Sequence, residues 1–573
     1  MCGISGVFSA ALNEKDINTV KVMIDEQNLR GPDSNGIFVD EDMNCILGHN
    51  RLKIVDLSDS ANQPMHYNGL SIVFNGEIYN YLEIKKLLIK EGVNFSTTSD
   101  TEVLLKSFAF FGISETLDKI NGMFAIALFD KKNKRLHLIR DRLGEKPLYY
   151  YQDSDKLYFS SNLKSIFFSL HKIYKRKWSV NRSAIYNFLI GGGFREGESI
   201  ISGIKKLESG SIFSTNLTLN KKDIRRYWIP KFEKISYDYN FTRSLIEDSI
   251  KIREPRDVDS GILFSGGIDS SLIAMFLNNH VGYHFETKET HFAKEIASAF
   301  NIEVDMIEYK NESREKYLNL LNQYIKFSGE PSMSCIIPMI TIGLAKNARK
   351  VLFTGNGGDE LFGGYTRTPY FWKNRLVNSD YQISHIFRNP LSISIPGVKK
   401  ITFKDLKKDV YNSVDFVPEE FRHKWIEFEF YIKNDLNPTL DYSSMNFSRE
   451  VRAPFLDHRL VEHALGLPQD LNLKLNKNGE AIDRKLISKK ILFEKLNPSL
   501  VDRQKFGFSL PEYISSLISL DIENLNTSFI NRGFIKLDES NLKKKRDRRY
   551  LRNCIASLEL WFRCYIDSNI VRI

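Results

Sequence analysis

The sequence predicts two domains of different class: an α+β domain of layered antiparallel sheets flanked by helices, then an α/β domain on a doubly wound parallel sheet. Three observations carry this reading. The chain has 573 residues, more than a single hydrophobic core sustains. Its texture changes near residue 230, from strand-like runs between polar turns to short apolar strands alternating with helical patterns. In the later part the apolar run Gly261-Ile262-Leu263-Phe264 leads directly into a glycine-rich loop and a helix, the strand–loop–helix unit of a parallel sheet.

Along the first part the strands are ISGVFS, CILGHNRL, SIVFNGEIY, MFAIALFD, RLHLIRD and KLYFSS, interrupted by amphipathic stretches near 81–91 and 102–112. Residues 1–215 make the first domain and 216–239, with Tyr227-Trp228-Ile229-Pro230, the connector. In the second domain, 240–573, GILFSGG precedes a helix from about Ser270, and KVLFTGNGG precedes a turn.

Composition narrows the class. Apolar residues are 42% and charged residues 27%, with 33 Gly and 16 Pro, which excludes collagenous, largely disordered and disulfide-scaffold chains. No apolar run approaches the roughly 18 residues of a membrane-spanning helix. The start, MCGISGVFSA, lacks the basic region of a secretory signal. Five cysteines without CxxC spacing fit a reducing cytoplasm and speak against a cysteine metal site. The net charge of +10 suits either an anionic partner or a plainly basic surface. Its densest run, Lys543-Lys544-Lys545-Arg546 with Arg548-Arg549, has no interleaved aromatics and reads as a solvated helix face.

Cys2 follows Met1 directly. With Met1 removed, a thiol and an α-amine titrating near pH 8 share one residue, so the amine can serve as base for its own thiol. The motifs around it occur in one order: CGISGVFS, RGPD at Arg30–Asp33, GHNRLKIVDLS, QPM, NGEIYNY and SDTE. Together they resemble the class II glutamine amidotransferase domain, an N-terminal-nucleophile fold, over about the first 210 residues. The resemblance implies an αββα sandwich in which Cys2 attacks the glutamine amide and Asn75 with the Gly76 N–H forms the oxyanion hole. It further implies that Arg51 holds the substrate carboxylate, that Asp100 and the Glu77 region hold its amine, and that Leu52, Ile54 and Val55 line the glutamine site. The ammonia released then calls for a coupled second site.

The run Ser265-Gly266-Gly267-Ile268-Asp269-Ser270-Ser271 offers backbone N–H groups and a helix N-terminus to an anion. It lacks the lysine of a GxxxxGK[ST] loop. SGGIDSS resembles the pyrophosphate loop of N-type ATP pyrophosphatases, and the likeness continues through Gly355-Asn356-Gly357-Gly358-Asp359-Glu360-Leu361-Phe362-Gly363-Gly364-Tyr365, Glu450–Asp457 and Arg503–Phe508. The whole chain resembles the glutamine-hydrolysing asparagine synthetases. That resemblance implies ATP and Mg²⁺ as cofactors and aspartate as the carboxylate, joined through an acyl-adenylate with release of AMP and pyrophosphate. Phe264, Ser265, Gly266, Gly267, Asp269, Ser270, Ser271, Thr354 and Gly355 would meet ATP or pyrophosphate. Asp269 and Asp359 are the candidate Mg²⁺ ligands, and Asn356, Asp359, Glu360 and Arg452 mark the acceptor and adenylation region. Lys505 and one cation of Arg484-Lys485, where the alignment slips by one residue, would offset pyrophosphate charge. The implied partners are small molecules, not nucleic acid or membrane, and the family is often dimeric.

Three departures stand out. Position 356 usually carries an acid and here is Asn, which can neither act as a base nor attract an ammonium ion. The segment Asn279 to Glu289 is short, leaving the adenine contact near 281–286 unassigned. Asn162 stands where a glutamate is usual. Two alternatives to asparagine synthesis therefore remain: amidation of another carboxylate, such as a sugar uronic acid or a peptide side chain, and a non-enzymatic relative with a degenerate synthetase half. Retention of SGGIDSS and GGDELFGGY speaks against the latter.

Overall fold

The computed structural model describes residues 2–219, 222–277, 280–287, 289–308, 314–345, 348–365, 368, 379–476, 481–503, 533–538 and 545–572. Two six-stranded antiparallel sheets stack in the first part. One runs Ile204–Lys206, Tyr149–Asp153, Lys156–Ser160, Gly3–Phe8, Cys45–Arg51, Ser34–Val39 in spatial order. The other runs Asp223–Arg226, Ser211–Asn216, Arg135–Arg140, Gly122–Asp130, Leu70–Ile78, Met65–Tyr67.

Alternation along the strands sorts their side chains into layers. Phe8, Leu47, Val73, Ala125 and Ala127 fill the space between the sheets. Their neighbours Phe74, Phe124 and Ile126 turn outward onto the helices Tyr81–Lys90 and Asp100–Lys119. Val7 and Ile46 turn outward on the other side, in the cluster that takes in Val20 and Met23 of helix Glu14–Glu26 and Ile166 and Phe167 of helix Leu163–Tyr174. Helix, sheet, sheet and helix thus lie in four layers, and strands buried on both faces read as near-continuous apolar runs such as MFAIALFD.

The second part is built on five parallel strands in the spatial order Glu303–Ile307, Val281–Phe285, Ser260–Leu263, Val351–Phe353, Glu450–Arg452. In chain order this is 3-2-1-4-5, so the winding reverses beside Ser260–Leu263. Loops leaving the carboxyl ends of the two strands at such a reversal form the ligand crevice of an open α/β sheet. Here they are the two glycine-rich motifs. The first helix begins at Ile268, slightly earlier than expected, and the second motif forms the short helix Gly358–Phe362 rather than a turn. Further on, helix Glu419–Glu427 continues through a π-helical stretch, Phe428–Leu436, into helix Asn437–Met445. Among the described residues no helix is long and apolar enough to cross a membrane.

The division between the parts differs from the expected boundaries. Strand Asp223–Arg226 pairs with Ser211–Asn216, so the second sheet extends into the stretch expected as connector. Its four residues are all exposed, and DIRR carries no apolar alternation that would mark it as a strand. At the other end, Val571–Arg572 pairs in parallel with Trp178–Ser179. One apolar cluster runs continuously from Val7 and Phe188 to Ile262 and Trp561.

Gly329 sits at this junction with φ of +81°, where an added Cβ would lie 2.8 Å from the Lys164 backbone nitrogen. Gly329→Ala combines left-handed strain with overpacking and should lower the unfolding free energy by about 1–3 kcal/mol, read as a lower urea midpoint at unchanged slope.

Candidate functional site

The first cleft opens at the end of strand Leu70–Ile78. Asn75 faces the space between the sheets, where its Oδ1 accepts the Cys2 backbone N–H at 3.1 Å and its Nδ2 donates to Ser161 Oγ at 3.3 Å. Ser161 Oγ also accepts the Ile4 N–H at 3.1 Å, which fixes it behind Asn75. At position 76 only glycine fits, because a Cβ would stand 2.0 Å from the Met123 carbonyl oxygen. Burial pushes the Cys2 thiol up, against the Leu52 N–H and the Arg51 guanidinium, which pull it down. His49 lies nearby with Nε2 3.3 Å from the Phe74 carbonyl oxygen. Burial holds its imidazole down at about 3, so it is neutral and unsuited to take up a proton.

A narrow cleft opens beside Cys2, and Arg51, Leu52, Ile54, Val55, Gly76, Glu77 and Asp100 all line it. The structure brings these residues to one place, while Asn75, expected in the same set, does not line the cleft and meets Cys2 through the backbone N–H. Arg51 already organises the wall: Nη1 donates to the Ser58 carbonyl at 2.7 Å and to Asn62 Oδ1 at 2.8 Å, and Nη2 reaches the Val55 and Asp56 carbonyls. Asp100 opens its helix and accepts the Ile78 N–H at 3.0 Å. Burial raises its carboxyl above the usual range, and Glu450 adds to the rise.

Glu450 lines the same space although it belongs to the parallel sheet. Beside it, Arg452 pairs with Glu450 at 2.8 Å and with Glu77 at 2.9 Å, all of them buried. Arg452, expected in the acceptor region, turns its side chain toward these two carboxylates. Only its backbone faces that side, accepting the Thr354 N–H at 3.0 Å. Strand alternation decides the matter, since a residue on an edge strand must turn to one face or the other. Glu77 is likewise occupied by a cation from the other half.

The second cleft lies where the parallel sheet reverses. Gly266 has φ of +68°, and a Cβ there would sit 2.7 Å from Ala293 Cα. Ser265 Oγ accepts the Gly267 N–H at 3.1 Å and lies 3.1 Å from Ser270 Oγ. Ser271 Oγ is buried with no hydrogen-bond partner among the described residues. Phe264 is buried at the strand end, its carbonyl 2.8 Å from His284 Nδ1.

From opposite loops, Asp269 and Asp359 converge on Lys485, whose Nζ lies 2.5 Å from each carboxylate. Those carboxylates raise the buried ammonium above its ordinary value despite desolvation. The glycines of the second motif are sized to this cluster. A Cβ at Gly355 would lie 2.7 Å from Asp269 Cβ, one at Gly358 2.4 Å from Asp269 Oδ1, and one at Gly364 1.9 Å from Asp359 Oδ1. Asn356 Oδ1 accepts the Thr354 hydroxyl at 3.1 Å. Glu360 accepts the Tyr365 hydroxyl at 2.6 Å, and burial beside Asp359 pushes its carboxyl up to about 7.

Of the two cations left open by the sequence, Lys485 is the one in the cleft, while Arg484 ends strand Ala481–Arg484, half-buried. Lys505 lies outside the described residues. Sequence reasoning assigned no role to Arg30, Gln63, Asp441 or Glu450. Gln63 closes the first cleft by accepting the Phe74 N–H at 2.6 Å and donating to Thr101 Oγ1 at 3.2 Å. QPM and RGPD were visible as motifs, and only the fold gives their side chains partners.

Comparison with known proteins agrees with this division. Residues 1–228 match the family model described as a glutamine amidotransferase domain, and residues 242–562 match the asparagine synthase model. The putative asparagine synthetase [glutamine-hydrolyzing] 2 of Methanocaldococcus jannaschii is 32% identical, covering 74% of this chain and 86% of its own length. Asparagine synthetase [glutamine-hydrolyzing] 1 of Bacillus subtilis is 28% identical, over 96% of this chain and 94% of its own. Among solved structures, a glutamine phosphoribosylpyrophosphate amidotransferase from B. subtilis is 13% identical over 63% of this chain and 77% of its own, with a TM-score of 0.30, too low to bear on the fold. With a synthase match across more than half its length and an amidotransferase domain ahead of it, the chain belongs to the asparagine synthase family.

Proposed function

We propose that this chain is a glutamine-dependent, ATP-consuming amide ligase that converts aspartate to asparagine. The observation that carries the reading is the presence, in one chain, of a Cys2–Asn75 cleft and of an Asp269–Lys485–Asp359 cluster between two glycine loops.

After removal of Met1, the α-amine of Cys2 takes the thiol proton and Sγ attacks the glutamine side-chain carbonyl. Negative charge develops on that oxygen, where the Asn75 amide and the Gly76 N–H stabilise it. The α-ammonium of Cys2 returns its proton to the leaving nitrogen, so that collapse expels ammonia and leaves a thioester, which water hydrolyses to glutamate. Asp100 holds the glutamine ammonium group and Arg51 its carboxylate.

At the second cleft the aspartate side-chain carboxylate attacks the α-phosphorus of ATP, forming the acyl-adenylate and releasing pyrophosphate. Ammonia then attacks the acyl carbon, and AMP leaves with the bond electrons. The N–H groups of Ser265–Gly267, the Ser270 and Ser271 hydroxyls and Lys485 receive the pyrophosphate charge. Asp269 and Asp359 suit Mg²⁺, a hard cation that takes one or two carboxylates together with phosphate oxygens. When bound it neutralises phosphate charge.

The neutral Asn356 favours a second reading, in which the acceptor is a different carboxylate. Pyrophosphate release measured with ATP, Mg²⁺, ammonium and a panel of carboxylates separates the two. Aspartate-dependent release with asparagine as product supports the first. Release with another carboxylate and none with aspartate replaces it by the second, and release with no carboxylate refutes both.

Cys2→Ala should abolish glutamine-dependent synthesis, a fall of about 10³-fold or more, while synthesis from ammonium persists. Loss of both activities would count against separate sites. A second expectation concerns pH. Glutamine binding needs Asp100 ionised, and its carboxyl titrates above the ordinary value of about 3.9. The KM for glutamine should therefore climb on acidification at a higher pH than a free carboxylate would give, approaching about tenfold per pH unit. An Asp100→Asn variant should bind glutamine weakly and lose this dependence.

A further inference from the structure

We propose that Asp56 is a positioning residue for glutamine recognition, tying the wall that carries Arg51 to the helix start that carries Asp100. The inference deepens the reading of this cleft as a glutamine site and rests on it.

The α-carboxylate and α-ammonium groups of glutamine are bonded to one carbon, so the cation and the carboxylate that receive them must keep one separation. Arg51 and Asp100 come from different elements, the end of strand Cys45–Arg51 and the first residue of helix Asp100–Lys119. Asp56 links the two. Its Oδ2 accepts the Thr98 N–H at 2.8 Å, two residues before Asp100. Its Oδ1 accepts the Ser58 N–H at 3.1 Å and the Ser58 hydroxyl at 2.5 Å. The turn closed in this way presents the Asp56 and Ser58 carbonyls to Arg51, the latter at 2.7 Å from Nη1.

The chemistry of position 56 follows from these bonds. Its φ of +54° is left-handed, a conformation that Asp and Asn adopt more readily than other side chains. Three donors point at the carboxylate, two of them backbone N–H groups, and two acceptor oxygens serve them together. An amide at 56 would turn its NH₂ toward one backbone N–H and lose that link. The Asp56 N–H donates in turn to Asp257 Oδ2 at 2.8 Å, so the synthase half braces the same turn. The acceptors around Arg51 are neutral: the carbonyls of Val55, Asp56 and Ser58 and the Asn62 amide oxygen. The guanidinium therefore keeps its charge for an incoming carboxylate. Asp56 is not among the residues lining the cleft beside Cys2, so it acts through Arg51 and Asp100 and not on the substrate.

The test uses the full chain with Met1 removed and the variants Asp56→Asn and Ser58→Ala. The kcat and KM of ammonia release are measured with glutamine and with glutaramate, which is glutamine without its α-amine. Ammonium-dependent pyrophosphate release is followed beside them and reports an intact synthase half. Of the two groups, glutaramate engages Arg51 alone and does not sense their separation. Asp56→Asn should raise the glutamine KM by about 10-fold or more, with kcat and ammonium-dependent release unchanged. The advantage of glutamine over glutaramate in kcat/KM should narrow by the same factor. Ser58→Ala, which removes one exposed donor, should show the same pattern at about 2- to 5-fold. An unchanged KM or an unchanged substrate ratio in Asp56→Asn overturns the proposal. So does a joint fall of kcat, ammonium-dependent release and thermal stability, which marks a merely structural residue. If Asp56→Asn fails to fold, Ser58→Ala decides by the same criteria. If the unsubstituted protein shows no Cys2-dependent glutamine hydrolysis, the glutamine reading itself falls, and this inference with it.

Discussion

Charge buried across the boundary between the two halves is the constraint on which the rest of this structure depends. Arg452 meets Glu77, Arg30 meets Asp441, and Lys206 and the Tyr149 hydroxyl meet Glu330. In each case one partner lies in the amidotransferase part and the other in the synthase part. A buried charge without its partner is strongly destabilising, far more so than the intact pair is stabilising. Neither half can present these faces to the other's absence without re-exposing or neutralising several groups. The apolar cluster spanning both parts adds to the same dependence.

The second cleft rests on a different constraint, which is closeness. Two carboxylates 2.5 Å from one ammonium leave no room for side chains on the loops that carry them. Gly355, Gly358 and Gly364 therefore record where Asp269, Asp359 and Lys485 stand, while Gly357 answers to Leu456 and Phe455. Asn356, between two of them, turns its oxygen back to Thr354 and keeps the loop neutral at that point. A negative charge there would add to Asp269, Asp359 and Glu360 within one short segment.

Much of this was legible in the chain itself, for physical reasons. Strands buried on two faces write continuous apolar runs, and glycine loops that must approach other atoms write fixed spacings. Both signals are local. The direction of Arg452 was not legible, because a strand residue has two faces to choose from and the choice is made by Glu77, far away in sequence. Arg30 and Glu450 were missed for the same reason: their partners are distant. Strand Asp223–Arg226 reads as connector in sequence because an exposed edge strand buries no alternating face. Helix Glu14–Glu26 was overlooked as well, although Asn13 and Asp16 close a capping box at its start.

The π-helical stretch Phe428–Leu436 bears on how this protein can change over time. Upstream and within it, Tyr431 sits against Tyr365, ring centroids 6.1 Å apart, while downstream Asp441 reaches Arg30. The angular phase between those two contacts depends on the number of residues wound between them. Loss or gain of one residue shifts the helix by only about 1.5 Å along its axis but turns everything beyond it by about 100°. Point substitutions there can be absorbed by local repacking, whereas an insertion or deletion carries Asp441 away from its partner. Length, more than composition, is what inheritance must preserve in this segment.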